Sequence, residues 1–525
     1  MRVTSRHDGC LNGMKSMNTP SQTPPRGGIT LRWLIIIGVA LVLVVALFYG
    51  EENFRGARAW RSFKQAQAAE GEKLDLSDFV PPAVADEQNF AMTPLLRVAL
   101  DYMRTTNGIR WRDTNALQHV SNIRFDLGSP AISAPNITDL DRGTPVNLKA
   151  FADFYRGNTN YPQSAHPGND AEDILTALGK FEPDLEELRE AASSRAASRF
   201  PIEYSHEPPA EILLPHLSPV KGITAVCELR AIAELENRRS ADALKDLQLG
   251  FRLSDSLRGE PFLIDHLVRI ATLNLTLQGV REGLIRHAWS DSQLAELGTN
   301  LSQIDVLGDY EQTMRGERSL NISGLDYYRR KGITAAALQT EDQSALNGNP
   351  VNWMPAGWYY QNMTVIGEVY RDYILPSVDV SNRVVTPALS AAMTSGLDRR
   401  RVGPYNIFAK MLLPALGKSS QRAARGQTML DETRLACAIE RYRIQHHDLH
   451  DTLDALVPEF IPRIPNDLFD GRPLRYIKTA DGSYLLYSIG WDERDDGGVE
   501  LRMKGKNSRQ DINQGDWVWS MPSEK

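Results

Sequence analysis

Seventeen consecutive positions, Trp33 to Tyr49, carry no charge and little polarity. That is the lower limit for a helix crossing a hydrocarbon core about 30 Å thick. Trp33 and Tyr49 stand at its two ends, where amphipathic rings prefer the bilayer interface. The sequence that follows, Phe48-Tyr-Gly-Glu-Glu52, is a poor cleavage site, so the pattern predicts an uncleaved single-pass anchor. A helix over 57–69 comes next, with Phe54, Trp60 and Phe63 as its apolar stripe. It ends at Gly71. Leu74 to Pro82 reads as a stalk or docking strap, and 92–104 as helical.

From 105 to 169 the pattern is irregular, with only Leu148 to Phe154 suggesting a short helix. From 171 to about 304 it is helical. Glu172–Leu178 and Asp184–Ser194 carry amphipathic spacing, and Gly222–Glu236 with Ser240–Leu257 form a hairpin across Asn237-Arg-Arg. Pro261 opens a helix apolar nearly all round to Ile285, which predicts a central buried element, and Ser290-Asp-Ser-Gln293 is a capping box. A single good hairpin is too few for a stacked solenoid, so a compact irregular helical domain is expected. Tyr310–Ser319, Ser323–Leu346 and Gln361–Tyr373 read as helices, and 352–360 as an aromatic loop plugged into the core. Tyr405 to Gln445 is one helical stretch that Pro414 should kink or break. Short strand-like runs at 473–476 and 484–490 predict a small antiparallel sheet, followed by the acidic, Gly-rich Asp495-Asp-Gly-Gly498.

The fold class that follows is mainly α, with an N-terminal transmembrane helix, an irregular α-helical domain and a small C-terminal α+β module. The expected divisions are a cytoplasmic N-terminus over 1–32, the span at 33–49, a stalk or docking segment at 50–104 and a loop-rich segment at 105–169. The helical domain takes 170–400, and a long helix plus the module takes 401–525. A chain of 525 residues is too long for one ordinary core.

Composition changes this picture little. The 42% hydrophobic and 24% charged residues are ordinary for globular protein, and a net charge of −7 argues against a nucleic-acid partner. Three cysteines make no disulfide framework; Cys227 and Cys437, on apolar helical stretches, read as free core thiols. The basic cluster Arg399 to Arg401 reads as a solvated loop. Arg2, Arg6, Lys15, Arg26 and Arg32 precede the span against Asp8 alone, yet Arg55, Arg58, Arg61 and Lys64 follow it, so charge bias orients the anchor only weakly.

The C-terminal order resembles the globular half of the major pseudopilin of type II secretion systems. The matching residues are Leu435-Ala-Cys-Ala-Ile-Glu-Arg-Tyr442, Leu453-Asp-Ala-Leu-Val457, Ile464-Pro-Asn-Asp467, Gly471-Arg-Pro-Leu-Arg-Tyr476 and Leu486-Tyr-Ser-Ile-Gly-Trp-Asp492, with Asp511-Ile512 and Trp517. They span about 90 of the 525 residues. Taken whole, with Lys73-Leu-Asp75 and Asp86-Glu-Gln-Asn-Phe90, the chain resembles bacterial membrane-anchored proteins to which no activity attaches. The departures are a missing prepilin-type processing site and a span separated from the module by most of the chain, which predicts a module reused as a cap rather than a pilus subunit. The resemblance implies a calcium loop, and Asp492, Asp495, Asp496 and Asp511 would supply oxygens for it. Read without the resemblance, the same loop is a solvated acidic turn. Together with the span, it implies an inner-membrane protein with its bulk in the periplasm.

Other chemistry is sparse. His446 and His450 share a helical face at i, i+4, but they fall where the helix should end. Asp265-His266 sits on the most apolar helix and reads as a satisfied core pair. There is no nucleophile elbow, His-Glu-x-x-His, phosphate loop or dinucleotide fingerprint. The expectation is a membrane-tethered, extracytoplasmic, non-catalytic interaction or scaffold protein with an envelope protein partner, linked to secretion-type machinery. The alternative is an extracytoplasmic hydrolase whose site is assembled from distant loops, around Asp265-His266 or Trp353–Tyr360.

Overall fold

The charge-free run does not end a helix; it is the first half of one. The computed structural model describes residues 27–105, 108–128, 135, 145–332, 353–480, 482–503 and 510–521. Helix α1 runs without interruption over Gly27–Ala69, 43 residues, or about 65 Å at 1.5 Å per residue. Every side chain from Leu31 to Phe48 is exposed, and the helix is long and apolar enough there to cross a membrane. Beyond Tyr49 a stripe of Glu52, Gly56, Trp60, Phe63 and Gln67 turns inward and is buried. One helix thus changes from an all-round apolar surface to an amphipathic one within a turn.

Helix makes up 62% of the structure and strand 7%. After α1 come α2 (Thr114–Ser121), α3 (Leu148–Arg156), α4 (Asp170–Leu178) and α5 (Glu182–Ser194). The predicted hairpin is α6 (Leu217–Glu236) and α7 (Ser240–Asp255), and the helix read as apolar nearly all round is α8 (Leu263–Ile285). These three form a wall between two cores. Leu244, Leu247, Ile270, Leu273 and Val280 face a core that extends from Trp60 and Phe63 to Trp519. Ile223, Val226, Leu249, Leu253 and Leu275 face a second, which gathers Phe90, Phe125, Phe151 and Leu185. A helix walled by apolar groups on both sides needs the all-round pattern that Phe262 to Ile285 carries.

Next are α9 (Asp291–Ser302), α10 (Val306–Lys331), α11 (Ala356–Val369), α12 (Pro387–Arg399), α13 (Ile407–Leu412) and α14 (Ser419–His446). Ser290 and Gln293 close the capping box at the start of α9. Pro414 breaks the long C-terminal helix as expected, with a 3-10 turn at Leu413–Leu416 separating α13 from α14. The predicted helix at 323–346 joins its predecessor in α10; its positions 333–346 lie outside the described residues.

Two readings need correcting. The stretch 92–104 is not one helix: after a single turn at Pro94–Arg97, the chain enters a hairpin of β1 (Tyr102–Thr105) and β2 (Gly108–Trp111). The aromatic stretch 352–360 is not a loop throughout, because α11 begins at Ala356. Helix α11 runs on into a π-helical turn at Tyr370–Ile374, and β3 (Val378–Asp379) pairs with β4 (Val384–Val385).

The C-terminal sheet has three antiparallel strands in the order β5 (Arg475–Lys478), β6 (Tyr484–Ser488), β7 (Trp517–Ser520), with Tyr476 opposite Leu486 and Tyr487 opposite Val518. Leu486, Trp517 and Trp519 join Leu430, Leu435 and Ile439 of α14 in the first core. Cys227 and Cys437 are free and buried.

Candidate functional site

The side chains that fix α1 to the body form a built site where the helix leaves its apolar half. Glu52 is 4% exposed. Its carboxylate accepts two hydrogen bonds from Arg55 (2.8 and 2.9 Å), one from Trp358 Nε1 (2.9 Å) and one from the Tyr405 hydroxyl (3.1 Å). Burial pushes the carboxyl pKa up, but the donors from Arg55, Trp358 and Tyr405 outweigh it and hold the group below its ordinary value. The Arg55 guanidinium also lies over the Tyr405 ring, 4.9 Å from its centroid. One turn earlier the Tyr49 hydroxyl donates to the Trp353 carbonyl, and Phe48 meets Trp358 edge to face at 6.1 Å.

Pro355 gives α11 no side-chain cap. Asn53 of α1 supplies one instead: its Oδ1 accepts from the Gly357 N–H at 2.9 Å. Farther along, Trp60 stacks on Phe63 at 5.7 Å, and both enter the first core. At the far end Arg318 of α10, fully buried, donates to Glu72 and to the Lys73 carbonyl at 2.7 Å each and to Gln67 at 3.3 Å; Arg315 also donates to Glu72 at 3.0 Å. Helix α1 is therefore clamped at both ends of its buried half. Of these residues only Trp353, Gly357 and Trp358 fall in a segment singled out from the sequence as a site, and there as part of a hydrolytic site rather than a socket. The usable signal was Glu52, the one of the two adjacent glutamates that falls with Gly56, Trp60 and Phe63 on one helical face.

The Asp265-His266 pair has company. His216 Nε2 lies 3.5 Å from Asp265 Oδ1, and neither side chain exceeds 1% exposure. Tyr204 donates to Glu260, and Glu317 accepts the Leu263 N–H at 2.9 Å. Burial pushes Asp265 up to about 7 and His216 and His266 down to about 3. Glu260 rises to about 8 through burial, with the Asp265 charge adding and the Tyr204 hydroxyl opposing. His216 stacks on Phe200 at 4.1 Å, and neither of its ring nitrogens has a hydrogen-bond partner, so it activates no nucleophile as it stands. The aromatic segment 353–360, the other place proposed for a hydrolytic site, is the socket of α1.

The acidic loop is closed by a residue outside the four aspartates. Asp516, fully buried, accepts the backbone N–H groups of Asp496 (3.3 Å), Gly498 (2.7 Å) and Val499 (3.2 Å). Asp495 is paired with Arg475 at 2.9 Å, Asp492 accepts from Gly515 at 3.0 Å, and Asp511 accepts from Asn513 at 2.9 Å. Asp496 is exposed. Among the described residues no three His, Cys, Asp or Glu side chains form a metal-holding group. His446 lies in the last turn of α14, His447 adopts φ 58 as its cap, and His450 is buried 4.5 Å from the Tyr476 ring and 5.3 Å from that of Tyr442. Those histidines terminate a helix and fill an aromatic cage.

No family model, curated protein or solved structure matches the chain.

Proposed function

We propose that this chain is a membrane-tethered, non-catalytic interaction protein of the bacterial envelope, with its body on the extracytoplasmic side. The observation that carries the reading is that the helix leaving the apolar run is itself a core helix, clamped through Glu52 and through Arg318. A tether of this kind transmits position and orientation, which a scaffold needs and a flexible linker loses. The order of α14, the Leu453–Leu456 turn and three antiparallel strands supports the pseudopilin-like reading of the C-terminus and, with it, a partner in secretion-type envelope machinery. Because that module shares a core with α1 and α8, deleting 427–525 would unfold the body, and the function is tested instead on the whole chain. Single cysteines at the exposed positions Thr299 and Asp496 should react with a membrane-impermeant maleimide in spheroplasts, and crosslinking from them should capture one defined envelope protein. Reaction only after lysis overturns the placement.

A hydrolytic reading rests on the convergence of Tyr204, His216, Glu260 and Asp265. It would be carried by an ester- or glycoside-cleaving activity that Asp265→Asn abolishes while melting stays cooperative.

A further inference from the structure

Outside the span, four apolar side chains are more exposed than all others described: Trp353 at 71%, Met411 at 69%, Val402 at 66% and Phe54 at 63%, whereas the next reaches 52%. They come from four segments of the chain, and the clamp ties those carrying Trp353 and Val402 to the turn of α1 that carries Phe54. Tyr49 holds the Trp353 carbonyl, Tyr405 holds Glu52 three residues after Val402, and Asn362 of α11 accepts the Phe408 N–H at the start of α13. Phe54 stands five residues past Tyr49, about 7.5 Å along the helix axis. The headgroup zone on each side of the hydrocarbon is about 5–8 Å deep. Exposed arginines accompany these side chains: Arg55 and Arg58 on α1, Arg399 closing α12, and Arg400 and Arg401 beside Val402. A tryptophan, a phenylalanine and aliphatic groups ringed by arginine match the boundary of an acidic phospholipid surface.

We propose that Phe54, Trp353 and Val402, with Arg400 and Arg401, form a collar that seats the body on the anionic phospholipid surface around its own anchor. The proposal rests on the membrane-tethered reading and adds a second contact with the same bilayer. It gives the exposed Arg399–Arg401 cluster a partner and sets the body's tilt as well as its distance from the lipid.

The test uses the full chain with Cys10→Ser, since Cys227 and Cys437 are buried. Spin labels are placed singly at Trp353→Cys, Val402→Cys, Leu41→Cys and, on α9, Thr299→Cys, in vesicles of phosphatidylcholine with or without phosphatidylglycerol. With phosphatidylglycerol present, collisions with oxygen relative to a water-soluble nickel chelate should be several-fold higher at 353 and 402 than at 299. Arg400→Glu with Arg401→Glu should remove most of that excess while leaving position 41 unchanged. Aqueous values at 353 and 402 with a hydrocarbon value at 41 overturn the collar and leave the anchor standing. An aqueous value at 41 brings down both. Equal values with and without phosphatidylglycerol overturn the acidic-headgroup partner.

Discussion

Gly56 of α1 and Gly357 of α11 pack backbone against backbone: a Cβ built on Gly56 would collide with the Gly357 carbonyl, and one on Gly357 with the Glu52 carbonyl. The contact lies between the Glu52 clamp and the Trp60–Phe63 stack, so it sets the distance between α1 and the body. A side chain at either position must push the two helices apart. Gly56→Ala and Gly357→Ala should each cost about 1–3 kcal/mol and lower the melting temperature of the detergent-solubilised protein. Gly50→Ala, whose Cβ meets nothing within 4 Å, is the control and should not lower the midpoint, since Ala favours a helix interior over Gly.

The other clamp depends on a buried charge. Arg318 is fully buried, and its partners Glu72, Gln67 and the Lys73 carbonyl all come from the end of α1 or just beyond it. Arg318→Met keeps the volume but leaves Glu72 with only the part-exposed Arg315, at an expected cost of about 3–5 kcal/mol. Pairing it with Glu72→Gln should recover part of the loss, because the stranded carboxylate is then gone. The readout is thermal melting together with proteolysis at 70–75, which should speed up in the single variant.

How far the sequence announces this architecture differs from element to element. The apolar run at 33–49, the hairpin of α6 and α7, the largely apolar α8 and the Ser290 capping box are local patterns, and each was legible. The socket at 353–360 was not. Gly357, Trp358 and Tyr360 look like loop chemistry, yet Gly357 is needed because another helix touches it, and that partner is 301 positions away in sequence. The hairpin at 102–111 was missed because Tyr102-Met-Arg-Thr105 is too short to show alternation against helical neighbours. Asp516 escaped because an acid that closes a loop through backbone N–H groups has no spacing rule, whereas Asp492, Asp495 and Asp496 cluster visibly.

Asp265 should make stability depend on pH with an unusual sign. In the unfolded chain its proton leaves near 3.8; in the fold, burial holds it to about 7. Between those values the folded state binds the proton more tightly, so stability falls as pH rises through the window and the deficit is complete above it. Asp265→Asn removes the deficit and should stabilise the protein by on the order of 2–4 kcal/mol near pH 8, with the gain shrinking toward pH 4. His216 acts in the opposite direction. Its folded value of about 3 lies below the ordinary 6.5, so stability is lost as pH falls through 6.5 toward 3. His216→Phe should flatten that acid limb. Melting curves of the two variants across pH check both signs, and a gain from Asp265→Asn that does not vary with pH would show that the carboxyl is ionised in the fold.

The acidic C-terminal loop gives the last prediction. Three backbone N–H groups there donate to the fully buried Asp516, and removing its carboxylate breaks all three bonds at once. Asp516→Ala should therefore cost about 2–4 kcal/mol. Asp495→Ala, which removes one exposed partner of Arg475 while Asp467 and Asp470 still hold it, should cost less than about 1 kcal/mol. The same geometry predicts the response to calcium. A loop already closed by Asp516 and Arg475 gains nothing from a cation, so chelator and millimolar calcium should give the same melting midpoint. A rise with calcium that Asp492→Asn or Asp511→Asn removes would mean that the four aspartates rearrange into an oxygen cage, and that the arginine at 475 gives up Asp495 to allow it.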